Sequence, residues 1–211
     1  MPFPDTLVLG ATGRIGQLLQ FSWNSAPFAA RLLWQGRALS GLQPAVHRVV
    51  LDPLKDPENL KAVATGRQIF CLAGAVPGRG DLNDNWHLAE AALRASPQGG
   101  RVILCSSAAV YGSQPGLLDE ATPLRPANDY GAAKRDMEQR SAALAAQLGV
   151  RLCVLRIGNI AGLDAILGGW CPGFQLDQFA DGATPARSYI GVETLAQVLA
   201  ALLALPQLPA V

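Results

Sequence analysis

Short apolar runs alternate along the chain with longer stretches of helical periodicity. The runs predict strands at Thr6–Gly10, Arg31–Trp34, Arg48–Leu51, Gln68–Ala73, Val102–Ser106 and Leu152–Ile157. The intervening stretches predict helices at Arg14–Ser25, Pro57–Ala64, Asn83–Ala95 and Tyr130–Leu148, with a last one at Val192–Leu205. Near-continuous apolar strands separated by crossover helices are the mark of a parallel sheet covered on both faces. The fold class expected is therefore α/β: a doubly wound parallel sheet of about six strands flanked by helices. The alanine-rich stretch before Gly149 favours helix, and Gly149 itself suits a helix C-terminus. Gly/Pro-rich segments at Val76–Gly80 and Gly168–Gly173 read as loops.

Composition narrows the function classes. Half of the 211 residues are apolar, enough for one sizeable core, so residues 1–211 are expected to form a single domain. A formal net charge of +1 gives no electrostatic case for nucleic acid or for an anionic membrane. The start, MPFPDTLVLG, has no basic leader, and a signal peptide is not expected. The most apolar helix contains Glu193 and Gln197 and falls short of a bilayer span. These features together predict a cytoplasmic location. Cys71, Cys105, Cys153 and Cys171 lack CxxC spacing, and three sit in or beside apolar runs, as reduced core thiols do. His47 and His87 have no partner at ligand spacing, so no metal is expected.

Against that background three motifs stand in one order: GATGRIG at Gly10–Gly16, SSAAVYG at Ser106–Gly112 and YGAAK at Tyr130–Lys134. The first follows a strand and opens a helix, the context in which a glycine-rich turn cradles a dinucleotide pyrophosphate. Gly10 permits the tight turn, Gly13 lets backbone approach the phosphates, and Gly16 lets helix and sheet pack closely. The phosphates would lie against the helix N-terminus, where free N–H groups and the dipole favour anions. Thr12, Arg14 and Ile15 complete the turn, and Leu72 and Ala73 end the fourth strand at the same sheet edge.

After the second strand such folds often carry an acid for the adenosine ribose. Here the stretch is Leu33-Trp34-Gln35-Gly36-Arg37, without one. A carboxylate would repel a 2′-phosphate, whereas Arg37 could pair with it through two parallel bonds, and Arg14 could reach the same place. The cofactor expected is NADP, with NAD as the alternative. Asp52 could accept from the adenine amine or simply start a turn.

Tyr130 and Lys134 are four apart on a predicted helix and so share a face. A phenol is a poor base at neutral pH, but an adjacent ammonium and a cationic nicotinamide both favour its anion. Tyr130 could then move a proton to or from a substrate oxygen, with Lys134 also holding the nicotinamide ribose. Ser107, at the C-terminal edge of the fifth strand, can hydrogen-bond the same oxygen. No GxSxG elbow and no suitable histidine support a hydrolytic triad.

These motifs, with Arg156-Ile157-Gly158-Asn159-Ile160-Ala161-Gly162, resemble the extended short-chain dehydrogenase/reductases, and more narrowly the NAD(P)-dependent epimerase/dehydratase family. The resemblance runs from the first strand to about Leu205 and implies a Rossmann fold. It makes Tyr130 the general acid/base, Lys134 its electrostatic partner and ribose ligand, and Ser107 a ligand of the substrate hydroxyl. It further implies that Asn159 meets substrate and that Arg187 contacts a nucleotide diphosphate. For assembly it offers a homodimer through the helices Asn83–Ala95 and Tyr130–Leu148, whose alanine-rich faces would equally suit burial against the sheet.

Relatives of this kind are longer, with a further strand and a small substrate-binding portion. The chain is then either a naturally short member with a small substrate or a C-terminally truncated one, and residues 159–190 are read as a reduced substrate-binding segment, with little or no separate substrate domain. The activity expected is hydride transfer on a hydroxyl or carbonyl of a small polar substrate, nucleotide-sugars included, by reduction or epimerisation. Ala108 and Ala109 stand where dehydratases of the family carry an extra acid and base, which argues against water elimination. The alternative is a catalytically silent NADP-binding sensor or scaffold.

Overall fold

The computed structural model describes residues 3–43, 47–164, 171–173, 175, 178, 180–184 and 186–210. Six strands form one sheet: β1 (Thr6–Leu9), β2 (Leu32–Gly36), β3 (Arg48–Val50), β4 (Gln68–Cys71), β5 (Arg101–Ser107) and β6 (Arg151–Ile157). All their pairings are parallel, in the order β3-β2-β1-β4-β5-β6. The order reverses between β1 and β4, which makes that junction the switch point where ligands of open α/β sheets bind.

Helices cover both faces: α1 (Arg14–Trp23), α2 (Pro57–Ala64), α3 (Asp84–Ala95), α4 (Asp129–Leu148) and α5 (Val192–Ala204). Alternation along each strand sends neighbouring side chains to opposite faces. Leu7, Leu9, Val102 and Leu104 pack with α2, α3 and α4, around Leu60, Leu93 and Met137. Val8, Ile103 and Cys105 pack with α1 and α5, around Leu19, Trp23, Leu195 and Leu199. The Trp23 indole N–H donates to the Ala196 carbonyl at 3.2 Å, tying α1 to α5. A doubly wound Rossmann sheet is thus what the apolar pattern builds.

The elements lie where the pattern predicts them, with instructive shifts at their ends. β1 stops at Leu9 because Gly10 turns left-handed, at φ +80°. β2 begins one residue later than expected and runs on through Gln35 and Gly36. A buried glutamine fits there because both ends of its amide are satisfied: Oε1 accepts from the Gly10 N–H at 2.9 Å, and Nε2 donates to the Leu51 carbonyl at 2.7 Å. β4 stops at Cys71, where the chain leaves the sheet at the switch point. Among the described residues, elements not expected are 3₁₀ turns at Ala29–Arg31 and Ala108–Tyr111, and a small parallel pair of β7 (Asn159–Ile160) with β8 (Tyr189–Ile190). Of the loop expected at Gly168–Gly173, residues 168–170 lie outside the described residues, as does Pro185 before Arg187.

α4 carries the YGAAK motif and is fixed at both ends. The Asn128 side chain accepts from the Gly131 N–H at 2.9 Å, and Gly149 ends the helix at φ +64°. That left-handed C-terminus favours glycine by about 1 kcal/mol over a residue with a Cβ. Gly149→Ala is therefore expected to lower the melting temperature by about 2–4 °C in a chain of this size. A thermal melt that matches wild type would show that this cap does not fix the helix end.

Candidate active site

The cofactor side is built around close backbone approaches. A Cβ on Gly10 would stand 2.5 Å from the Ala73 nitrogen, so the turn after β1 and the end of β4 touch only because Gly10 has no side chain. A Cβ on Gly16 would stand 2.4 Å from the Ala11 carbonyl oxygen, which presses the first turn of α1 onto the loop. Gly13 is different. It is exposed, and a Cβ there would meet only the Gly10 oxygen, at 3.3 Å. Gly13 is also the N-cap of α1, with no side-chain cap and no acid in the first turn. An open approach to uncapped helix N–H groups is what a pyrophosphate needs, so the cradle fits a dinucleotide. Thr12, Arg14 and Ile15 line this turn, and Leu72 and Ala73, both half-buried, face it from the segment just after β4.

Arg14 and Arg37 fare differently. Arg14 Nη1 donates to the Leu163 carbonyl at 2.8 Å, joining the glycine turn to the segment after β7. Arg37 is exposed directly after β2. The glycine turn lies against this end of β2: a Cβ on Gly36 would stand 3.0 Å from Thr12 Cγ2. Asp52 forms a turn, its Oδ1 accepting from the Leu54 N–H at 3.0 Å while its carbonyl accepts from Lys55 and Asp56.

Ser107 ends β5 and Tyr130 opens α4, which brings the Ser107 hydroxyl near enough to the phenol to favour its anion. Ser107 Oγ also accepts from the Ala109 N–H at 3.2 Å, which fixes the hydroxyl over the 3₁₀ turn. One turn after Tyr130, Lys134 is buried, and its Nζ lies 6.0 Å from the Tyr130 ring centre. Nζ donates to the Cys105 carbonyl at 2.9 Å. A Cβ on Gly74 would stand 3.1 Å from Nζ, so the loop after β4 and the ammonium occupy one place. Ser107, Tyr130 and Lys134 therefore converge at the C-terminal edge of the sheet, beside the glycine cradle.

The electrostatics depart from the sequence expectation in one respect. Burial pushes the Tyr130 phenol above its ordinary value of 10.0, and the nearby Ser107 hydroxyl offsets this only in part. Burial likewise holds Lys134 below 10.5. The ammonium alone does not turn the phenol acidic, because its Nζ points past the ring to the Cys105 carbonyl.

On the substrate side Asn159 Nδ2 donates to the Ser188 carbonyl at 3.1 Å, pinning β7 to the segment before β8. Arg187, in that segment, is exposed. Sequence reasoning missed the residues that brace the site. Besides Gln35, the buried Asn85 on α3 accepts from the Ala75 N–H and donates to its carbonyl, both at 3.1 Å, shaping the loop after β4. For Gln35 the available signal was a polar residue in an apolar strand; Asn85, among Asn83, Asp84 and His87, gave none.

The glycines separate packing from binding. Gly10→Ala is expected to cost about 1–3 kcal/mol, because its left-handed backbone and the Ala73 contact both oppose a Cβ. Gly13→Ala is expected to fold like wild type but to bind NADPH on the order of tenfold more weakly, about 1.4 kcal/mol. Urea unfolding and NADPH fluorescence titration of both variants check this; equal losses of stability would reject the distinction.

No curated protein matches the sequence. Solved structures do: UDP-glucose 4-epimerase from Brucella ovis, in complex with NAD, superposes with a TM-score of 0.70 at 22% identity, over 94% of this chain and 72% of that one. UDP-N-acetylglucosamine 4-epimerase from Methanobrevibacter ruminantium, in complex with UDP-N-acetylmuramic acid, gives 0.67 at 21%, over 95% and 74%. An L-threonine dehydrogenase from Cupriavidus necator, in its holo form, gives 0.59 at 21%, over 74% and 55%. At such identities the likeness is one of fold. The family is fixed by the sequence model that matches residues 6–167: this chain belongs to the NAD-dependent epimerase/dehydratase family.

Proposed function

We propose that the protein is an oxidoreductase or epimerase that binds NADP in preference to NAD and acts on a hydroxyl or carbonyl of a small polar substrate, nucleotide-sugars included. The observation that carries this is the convergence of Ser107, Tyr130 and Lys134 at one sheet edge, with the Lys134 Nζ buried 6.0 Å from the phenol ring centre and against the loop after β4. When bound, the nicotinamide supplies an acceptor and donor of hydride.

The chain's own residues handle the proton. Ser107 hydrogen-bonds the substrate oxygen and orients it toward the Tyr130 phenol. Tyr130 takes the proton from a hydroxyl in the oxidative direction and returns it to a carbonyl oxygen in the reductive one. Lys134 keeps a positive charge near the phenol and binds the nicotinamide ribose hydroxyls. Asn159 and Arg187 contact the rest of the substrate, Arg187 through a diphosphate where one is present. Ala108 and Ala109, next to Ser107, offer no acid or base for eliminating water, which favours reduction or epimerisation over dehydration.

The preference for NADP rests on the end of β2. Gly36 provides no carboxylate for a ribose 2′-hydroxyl, and the exposed Arg37 can pair with a 2′-phosphate. The UDP-glucose 4-epimerase from Brucella ovis and the UDP-glucuronic acid 4-epimerase from Bacillus cereus were solved in complex with NAD, so the proposal predicts a departure from them.

Three measurements test these assignments. Titration of NADPH and NADH into wild type and Arg37→Ala is expected to show NADPH weakened about 10- to 100-fold, as for a lost charge-assisted pair, with NADH unchanged. Equal effects on both cofactors would remove Arg37 from the 2′-phosphate. Tyr130→Phe is expected to keep NADPH binding and to lose about 10²–10⁴ in turnover of any substrate found in a carbonyl screen. Because burial raises the phenol's pKa, oxidation by wild type should speed up as pH rises through the alkaline range, while reduction should slow there. A pH-independent rate in both directions would exclude Tyr130 as the acid/base.

A further inference from the structure

One turn beyond Lys134, α4 carries Glu138, a buried carboxylate inside a helix. Arg156, near the end of β6, meets it with two nitrogens. Nη2 lies 2.9 Å from Oε2, and Nε lies 3.1 Å from Oε2 and 3.3 Å from Oε1. The two side chains keep only 11% and 7% of their exposure, so the pair is desolvated and is held by geometry. Arg156 Nη1 donates further, to the Tyr111 hydroxyl at 3.0 Å and to the Glu120 carbonyl at 3.1 Å. The guanidinium also lies 5.2 Å from the Tyr111 ring centre. One side chain thus joins α4, β6, the 3₁₀ turn after Ser107 and the loop that leads into Tyr130.

The groups that face Lys134 are few. β5 contributes Cys105, β4 contributes Cys71, and α4 itself contributes Tyr130 and Glu138. From α3 comes the neutral Asn85 amide, whose oxygen crowds the same Gly74 Cβ position as Lys134 Nζ; Arg156 on β6 stands behind Glu138. Burial pushes Cys71 up to about 11 and Cys105 up to about 12. Both are neutral thiols over the range in which Lys134, held below 10.5 by burial, gives up its proton. Glu138 is therefore the anion that favours the ammonium there, and Arg156 fixes where that anion stands.

We propose that Glu138, held by Arg156, is a positioning residue that keeps Lys134 charged beside Tyr130, so that this pair tunes the proton-transfer site from outside it. The proposal rests on the reading of Tyr130 and Lys134 as the acid–base pair, but the charge on Lys134 can be measured without turnover.

The chain has three lysines, Lys55, Lys61 and Lys134, so ¹³C-labelled lysine in the full-length protein gives three signals. The Lys134 signal is the one missing in Lys134→Met. Titrated by NMR without cofactor or substrate, its midpoint is expected to fall by about one pH unit in Glu138→Gln and to rise in Arg156→Gln. The volume-conserving double variant Glu138→Leu/Arg156→Met should lie below wild type and above Glu138→Gln. Opposite signs in the single variants distinguish tuning from bracing, since a purely structural pair would disturb both alike. An unchanged midpoint, or displacement in the same direction in both folded single variants, overturns the proposal. Where a single variant does not fold, the double variant decides, because replacing both buried charges with apolar groups is often tolerated. A midpoint equal to wild type there overturns the proposal as well. Full activity in Tyr130→Phe would instead defeat the catalytic reading and leave the titration result standing.

Discussion

The contact on which the site depends is the approach of Gly10 to Ala73. The strand order sets β1 beside β4 with their C-terminal ends level, and only a residue without a Cβ lets the chain turn there. Everything on the cofactor side is referenced to that point. Gln35 holds the Gly10 N–H from β2 and reaches on to Leu51 after β3, so one buried amide aligns the ends of three neighbouring strands. Its bonds matter less for their net gain, about 1 kcal/mol each, than for the penalty of leaving a buried amide unpaired. A turn that must be glycine and a glutamine that must be satisfied make a rigid floor for a cradle open at Gly13.

The side of the site that holds Lys134 is organised by a different economy. Lys134 is buried in a place that disfavours its charge, yet it spends a hydrogen bond on the Cys105 carbonyl and stands one turn from a second buried charge. Isolated charges at such depth would be costly. The arrangement holds because α4 carries the lysine and the carboxylate on one face, and β6 supplies an arginine whose fork matches the carboxylate. Helix, strand and loop are thereby fixed to each other by polar contacts at the very edge of the sheet. Apolar packing of Met137, Leu144 and Ala145 continues the same helix into the core.

What the sequence revealed follows from what is local. Apolar alternation and glycine placement are properties of contiguous segments, so strands, helices, the turn at Gly10 and the stop at Gly149 could be read directly. The convergence of Ser107, Tyr130 and Lys134 was also legible, because two of them share a helix face and the third ends a strand. The braces were not. Gln35 pairs with residues at positions 10 and 51, Asn85 with position 75, and Arg156 with positions 111, 120 and 138. Each looks like an ordinary polar residue until the fold supplies its partner. The phenol's shift failed for the same reason: charge proximity is visible along a helix, whereas burial depends on what the rest of the chain puts around it.

Gly36 shows how packing and specificity become one constraint. A Cβ at this position would stand 3.0 Å from the Ala38 carbonyl, 3.0 Å from Thr12 Cγ2 and 3.1 Å from Leu42 Cδ1. Any side chain here would require its neighbours to yield by a few tenths of an ångström, and one of them, Thr12, belongs to the glycine turn. An acid grafted at Gly36 to favour a ribose hydroxyl would therefore push on the phosphate cradle while adding its charge. The adjoining loop is held down as well: the buried Gln20 accepts from the Gln43 N–H at 2.8 Å and donates to the Ala11 carbonyl at 2.8 Å. Arg37 thus leaves a strand end whose direction is set by α1 on one side and by Gln35 on the other. On the proposed reading, selectivity for a 2′-phosphate is a consequence of how tightly the second strand is packed under the first turn. It follows that reversing the preference calls for substitutions at Thr12 and Leu42 along with Gly36, since charge exchange alone leaves the steric half of the constraint in place.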